Sequence, residues 1–140
     1  MKISKLILWL ILASISTALL TVVFYNTLAI EKTVNLNMTV KVDDHFGLAV
    51  DNESLNFGKI IPGQGMEKSI LLANPTEHDV RVLILNNGNI SDWIKVSDDN
   101  FVLTHGTKKN LTYEVFAPSD ASFGKYTGKS QIIFKRVIFT

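Results

Sequence analysis

The sequence predicts an all-β protein: a single antiparallel sandwich of seven to nine short strands, set behind one N-terminal hydrophobic helix. Three observations carry that expectation. Val34–Val42 alternates apolar and polar residues without a fault, the period of a half-buried strand. Turn signals recur at short intervals, as Pro62-Gly63-Gln64-Gly65, Asn74-Pro75, Asn86-Asn87-Gly88-Asn89 and His105-Gly106-Thr107. After residue 30 no stretch repeats its apolar residues with the helical period.

The helix comes first. Lys2 and Lys5 open the chain, and no further charge appears until Glu31. Leu6–Tyr25 is an uncharged run of 20 residues. As a helix it would extend about 30 Å, the thickness of a bilayer core. Ser14, Ser16, Thr17 and Thr21 dilute it, but helical hydroxyls can bond back to their own backbone. The two lysines favour a cytoplasmic N-terminus, with everything beyond the helix outside. A cleaved signal peptide is the competing reading, with Thr27-Leu28-Ala29 as its small-residue cleavage site. The run exceeds the usual signal core of about 7–15 residues, which favours an anchor. The expected division is residues 1–30 as the membrane segment and 31–140 as an extracytoplasmic sandwich.

Within the domain, Val34–Val42 ends at Asp43-Asp44-His45, and Phe46–Val50 is expected to continue it briefly. Leu55–Ile61 and Lys68–Ala73, on either side of the Pro/Gly turn, read as paired strands that open an antiparallel sheet. Val80–Leu85 is dense enough in apolar residues for a central strand. Ile94–Val96 and Phe101–Leu103 are short pieces, and Lys109–Phe116 alternates clearly. Pro118–Gly128 reads as loop with a short extended piece around Tyr126, and Ser130–Phe139 as the last strand, interrupted by Lys135-Arg136. Glu31–Thr33 is too short for a flexible stalk, so the domain should sit close to the membrane.

Two stretches support a resemblance. L-N-F-G-K-I-I-P-G-Q-G-M-E-K-S-I-L-L-A-N, from Leu55 to Asn74, resembles the L-x-F-G…G…I-x-L-x-N opening of ASH/MSP-like immunoglobulin-fold domains. Farther on, Trp93, Gly106, Pro118, Gly124, Tyr126 and Gly128 are similar to the W…G…P…G-x-Y-x-G pattern of surface immunoglobulin-like modules of the NEW3 and BACON type. Together the pieces cover most of Leu55–Ile133. The resemblance implies an immunoglobulin-like sandwich and no particular activity. It also implies that Trp93 packs inward between the two sheets.

Little in the sequence looks catalytic. Formal net charge is +1, so no strong field draws the chain to nucleic acid. There is no cysteine, which excludes disulfides, thiolate zinc sites and cysteine nucleophiles. His45, His78 and His105 lack metal-ligand spacing and read as solvated loop residues. Asp43-Asp44 and Asp98-Asp99-Asn100 lack the spaced pattern of a calcium loop. No G-x-S-x-G and no glycine-rich phosphate loop occurs. No catalytic residue, metal or cofactor is therefore expected. Phe57, Trp93, Phe101, Tyr113 and Phe134 all fit core positions, which weakens a carbohydrate- or ligand-binding module.

Four N-x-[ST] sequons stand at Asn37, Asn52, Asn89 and Asn110, against about 1.7 expected by chance from the Asn, Ser and Thr content. All four fall on the polar side of a strand or in a turn, where a glycan could stand. The expected function is a non-enzymatic, membrane-anchored surface protein. It would contact the bilayer through Leu6–Tyr25 and other envelope proteins through its sheets. The alternative is a subunit or assembly factor of a surface filament, cleaved near Ala29 and exchanging a strand. Both Val34–Val42 and the apolar end after Arg136 are candidates for such edge-strand pairing, including homo-oligomer formation.

Overall fold

The computed structural model describes residues 3–44 and 54–137, with backbone only for 25–28. Helix α1 spans Ile3–Leu28. Eight strands follow: β1 Ile30–Val42, β2 Leu55–Ile60, β3 Gly65–Ala73, β4 Val80–Gly88, β5 Ile94–Val96, β6 Asn100–Leu103, β7 Lys108–Phe116 and β8 Gly124–Arg136. They form two sheets, one ordered β2-β1-β8-β4-β6 and the other β3-β7-β5. The expected sandwich and its leading helix are both present. The expectations for His45, Phe46–Val50, Asn52 and Ile138–Thr140 lie outside the described residues.

Strand β1 has the largest role. It pairs with β8 along its whole length, from Ile30 opposite Lys135 to Val42 opposite Gly124. Its alternation is the reason: Met38, Val40 and Val42 are fully buried, while Asn35, Asn37 and Lys41 face solvent. The strand begins four residues before the alternation becomes clean, because the β8 ladder satisfies the backbone of Ile30–Thr33 whatever their side chains are. Lys135 and Arg136, expected to break the last strand, belong to β8 for the same reason. β4 lies between β8 and β6, the interior position its composition predicts.

Two expectations are corrected. Leu55–Ile60 and Gly65–Ala73 do not form a hairpin: β2 belongs to the first sheet and β3 to the second. Gly63, at φ +78°, turns the chain across the sandwich, and its N–H donates to the carbonyl of Ala117 on the far side. The sandwich is also not wholly antiparallel, since β2 runs parallel to β1. Trp93 packs against the core from the end of the second sheet onto Tyr126 of the first, though only partly buried. It sits half-buried on a 3-10 turn, Ser91–Trp93, and its ring lies 4.5 Å from that of Tyr126 at 47°.

The core is one cluster drawn from both sheets, with Phe57, Leu55, Ile60, Met38, Leu111 and Ile132 fully buried. Each such side chain contributes about 1.5–3 kcal/mol by leaving water. Without disulfides, this burial must offset the chain entropy alone. One polar contact crosses it: the Tyr113 hydroxyl of β7 meets the Ser130 hydroxyl of β8 at 2.8 Å, both residues fully buried. At the far edge of the ladder, Gly88 (φ +106°) stands opposite Gly128. A Cβ on Gly88 would come within 2.6 Å of the Gly128 Cα. Two strands therefore approach there as only glycines permit.

Two stability tests follow from this packing. Gly106 has a positive φ but nothing within 4 Å of its notional Cβ. Gly106→Ala should cost about 1–2 kcal/mol from backbone conformation alone. Gly88→Ala adds overlap with backbone and should cost about 3–4 kcal/mol, both read from urea denaturation. Burial pushes the Tyr113 phenol above its ordinary value of 10.0. The unfolded state then loses its proton first, so stability is intact below pH ~10 and falls as pH rises toward the folded-state value. Tyr113→Phe should remove that alkaline loss and, by leaving Ser130 unpaired, lower stability near neutrality by about 1 kcal/mol.

Candidate interaction surface

The end of the sandwich next to α1 collects most of the molecule's distinctive polar structure. The helix passes into β1 through Ala29 with no linker, and Ala29 is buried. Its carbonyl accepts the Arg136 N–H at 2.9 Å. One residue on, Glu31 occupies an irregularity in the β1–β8 register, and its carboxylate bonds the His78 ring. Val137 N–H closes the same end by donating to the Asp79 carbonyl at 3.1 Å. The helix exit is thus tied to the β3–β4 loop, 74–79, and to the end of β8.

Asn74 holds that loop. It is buried, and its amide donates to the carbonyls of His78 and Leu103, each at 2.9 Å. Its side-chain oxygen accepts from the Thr76 N–H at 3.1 Å and the Thr76 hydroxyl at 2.6 Å. Its backbone bonds Thr107 and Gly106 in the β6–β7 turn. Every hydrogen-bonding group of the residue is therefore occupied, as burial demands. Asn74 was legible in the sequence only as a turn residue. Its being the knot between two turns required the fold.

A groove opens along the flank where β3 faces the first half of β1. β3 is an edge strand, and β2 reaches β1 only from Met38 onward. Two adjoining cavities of about 380 and 370 Å³ lie there, floored by Val34, Leu36, Ile70, Leu72, Ile132 and Phe134. Leu71 stands 59% exposed at the rim. A third cavity of about 550 Å³ lies between β4 and β5 and includes Asn86 and Asp99. The Asn86 side-chain oxygen is buried without a partner among the described residues.

The predicted site residues are dispersed. Asn37 on β1, Asn89 after β4 and Asn110 on β7 are all exposed, on different parts of the surface. His78 and His105 are each beside an acid, Glu31 and Asp79 respectively, at the helix end of the domain. Asp43 takes Lys41 at 2.8 Å and Lys59 at 3.4 Å, and Asp98 takes Lys109 at 2.6 Å. The Lys41 and Asp44 hydrogen bonds hold the Asp43 carboxyl well below the ordinary carboxylate range. These acids serve ion pairs. Among the described residues no three His, Asp or Glu side chains come together as a metal site requires. Comparison with family models, characterised proteins and solved structures gave no match to this chain.

Asn74→Ala should cost about 1–3 kcal/mol, because it strands two carbonyls and the Thr76 groups that now bond it. Hydrogen exchange is the sharper measurement. Protection should drop first at Thr76 and Gly106 and spread to the Ala29–Glu31 junction, leaving the middle of the β1–β8 ladder unchanged.

Proposed function

We propose that the protein is a non-enzymatic, membrane-anchored surface protein whose immunoglobulin-like domain serves envelope architecture or protein contact close to the bilayer. One observation carries the reading. Every described side chain of α1, from Ile3 to Phe24, is exposed, and this stretch is long and apolar enough to cross a membrane. So large an apolar surface needs a cover that the domain does not supply, and a bilayer of about 30 Å matches its length. Thr17 and Thr21 return their hydroxyls to the carbonyls of Ala13 and Thr17, which suits a helix in lipid.

The linker-free passage into an interior strand supports the architectural part. A stalk lets a domain search, whereas a helix continuous with β1 holds the domain at fixed height. Contacts are then restricted to neighbours in or near the same membrane. An extended segment of a neighbouring envelope protein, laid beside edge strand β3, is the form of contact the flank groove suits. The exposed sequons at Asn37, Asn89 and Asn110 are compatible with a glycosylated outer domain. The filament alternative asks β1 to leave its own sheet, at the cost of Met38, Val40 and Val42 in the core.

Intact mass and protease protection of the native protein test the proposal. An unprocessed chain in the membrane fraction, with the domain cleaved only from outside, is the expected result. A chain beginning near Ile30, in high-mass polymers, would favour the processed filament subunit. Mass above that of the polypeptide would report glycan in the same spectrum.

A further inference from the structure

Net charge +1 conceals a segregation that the topology creates. Strands β1, β8 and β4 are neighbours in the first sheet. Between them they carry seven of the 14 Lys and Arg residues but only one of the 13 acids, Glu31. Cross-strand register even sets like charges opposite each other, Lys41 against Lys125 and Arg81 against Lys135. Such pairs weaken a sheet. Lys41 has Asp43 at 2.8 Å, whereas Arg81 and Lys135 have no acid within ion-pair distance among the described residues.

Four of the seven are concentrated at the helix exit. Ile30 is in register with Lys135, Lys135 with Arg81, Lys32 with Phe134, and Arg136 with Val80. Adjacent strands are about 4.8 Å apart, which places even Arg81 about 10 Å from β1. Lys32, Arg81 and Arg136 are exposed and Lys135 is half-buried, and none of the four is ion-paired among the described residues. The acids at this end are engaged or peripheral. Glu31 bonds His78, Asp79 accepts the His105 N–H at 2.9 Å, and Glu77 is exposed in the β3–β4 loop.

The height of this collar is fixed by the helix. The run set against the bilayer, Leu6–Tyr25, ends at Tyr25, and α1 continues to Leu28 before Ala29 and Ile30. The three helical residues 26–28 rise about 4.5 Å, and the extended step through Ala29 adds about 3 Å. A headgroup layer is about 5–8 Å thick on each side of the hydrocarbon. The four cations therefore emerge at the level of the lipid phosphates.

We infer that Lys32, Arg81, Lys135 and Arg136 form a juxtamembrane collar that binds anionic phospholipid headgroups of the bilayer holding α1. The collar orients the domain on the membrane. It is assembled from three strands distant in sequence, so it exists only once the sandwich has folded. This inference rests on the membrane-anchor reading, and either leaflet would provide the same chemistry. A soluble polyanion fits the geometry less well, since the three remaining cations (Lys41, Lys125, Lys129) are spread along the strands instead of extending the cluster.

The test uses the full-length chain in phosphatidylcholine nanodiscs containing about one part in five phosphatidylglycerol. Spin-labelled lipids then report which headgroup is immobilised by the protein. Each cation near an anionic surface favours binding by about five-fold, so the expected preference for phosphatidylglycerol is about five-fold or more at low salt. It should fall toward unity at ~1 M salt, where screening acts within about 3 Å. The K32Q/R81Q/K135Q/R136Q variant should lose it, with folding checked by Trp93 fluorescence, while K125Q/K129Q and K2Q/K5Q should keep it. Equal affinity for the two lipids in the unmodified chain would overturn the inference, as would a preference lost only in K2Q/K5Q. Binding of soluble polyphosphate without lipid preference would overturn it as well. A chain that carbonate releases from membranes, or that does not enter nanodiscs, would instead overturn the anchor reading.

Discussion

The β1–β8 ladder is the constraint on which the rest of the structure depends. β1 leaves the helix and becomes an interior strand immediately, paired from its first residue to its last. Because β8 is also the partner of β4, one strand fixes both neighbours, and β2 and β6 add at the two margins. A shift of one residue in this ladder would turn Met38, Val40 and Val42 outward and put Asn37 and Lys41 in the core. Burial on one face therefore sets the register. The Gly88–Gly128 approach then fixes β8 against β4, and the buried Tyr113–Ser130 bond fixes it against β7 of the other sheet.

That ladder also transmits position. The end of the domain next to α1 is defined by Ala29 and Arg136, one hydrogen bond apart, and by Asn74 holding the neighbouring turns. These contacts leave no flexible segment between an apolar helix and a packed sheet. A helix end normally exposes carbonyls to water or to a cap. Here the first carbonyl beyond the helix is taken up by β8 directly. Helix and sandwich are thus joined through backbone bonding at Ala29.

The sequence revealed the elements better than their neighbours. β1 and β7 were legible because strict alternation admits one interpretation. β4 was legible because six nearly continuous apolar and basic residues suit an interior strand. The β2–β3 hairpin was misread because Pro62-Gly63 marks a turn without saying which sheet the chain enters next. That depends on Gly63 reaching Ala117, 54 residues away. Of the surface features, the sequons could be read directly, but exposure alone gathers no site from them. The collar and the Asn74 knot could not be read at all, since each joins residues that only the topology makes neighbours.

This difference bears on how charge should be interpreted in a small anchored domain. A net value near zero is silent about field when cations and acids are sorted by strand. In this chain the sorting follows position in the sheet: the three interior strands of the larger sheet are cationic, while the acids gather in turns and on the second sheet, at Glu67 and Glu114. At the helix exit a headgroup would meet the four cations together with Glu31, Glu77 and Asp79, of which Glu31 is bonded to His78 and Asp79 to the His105 N–H. In the proposed arrangement the junction without a linker keeps the four cations near one layer of phosphates. The lack of a linker, which limits what the domain can reach, is what gives a modest number of charges their combined effect.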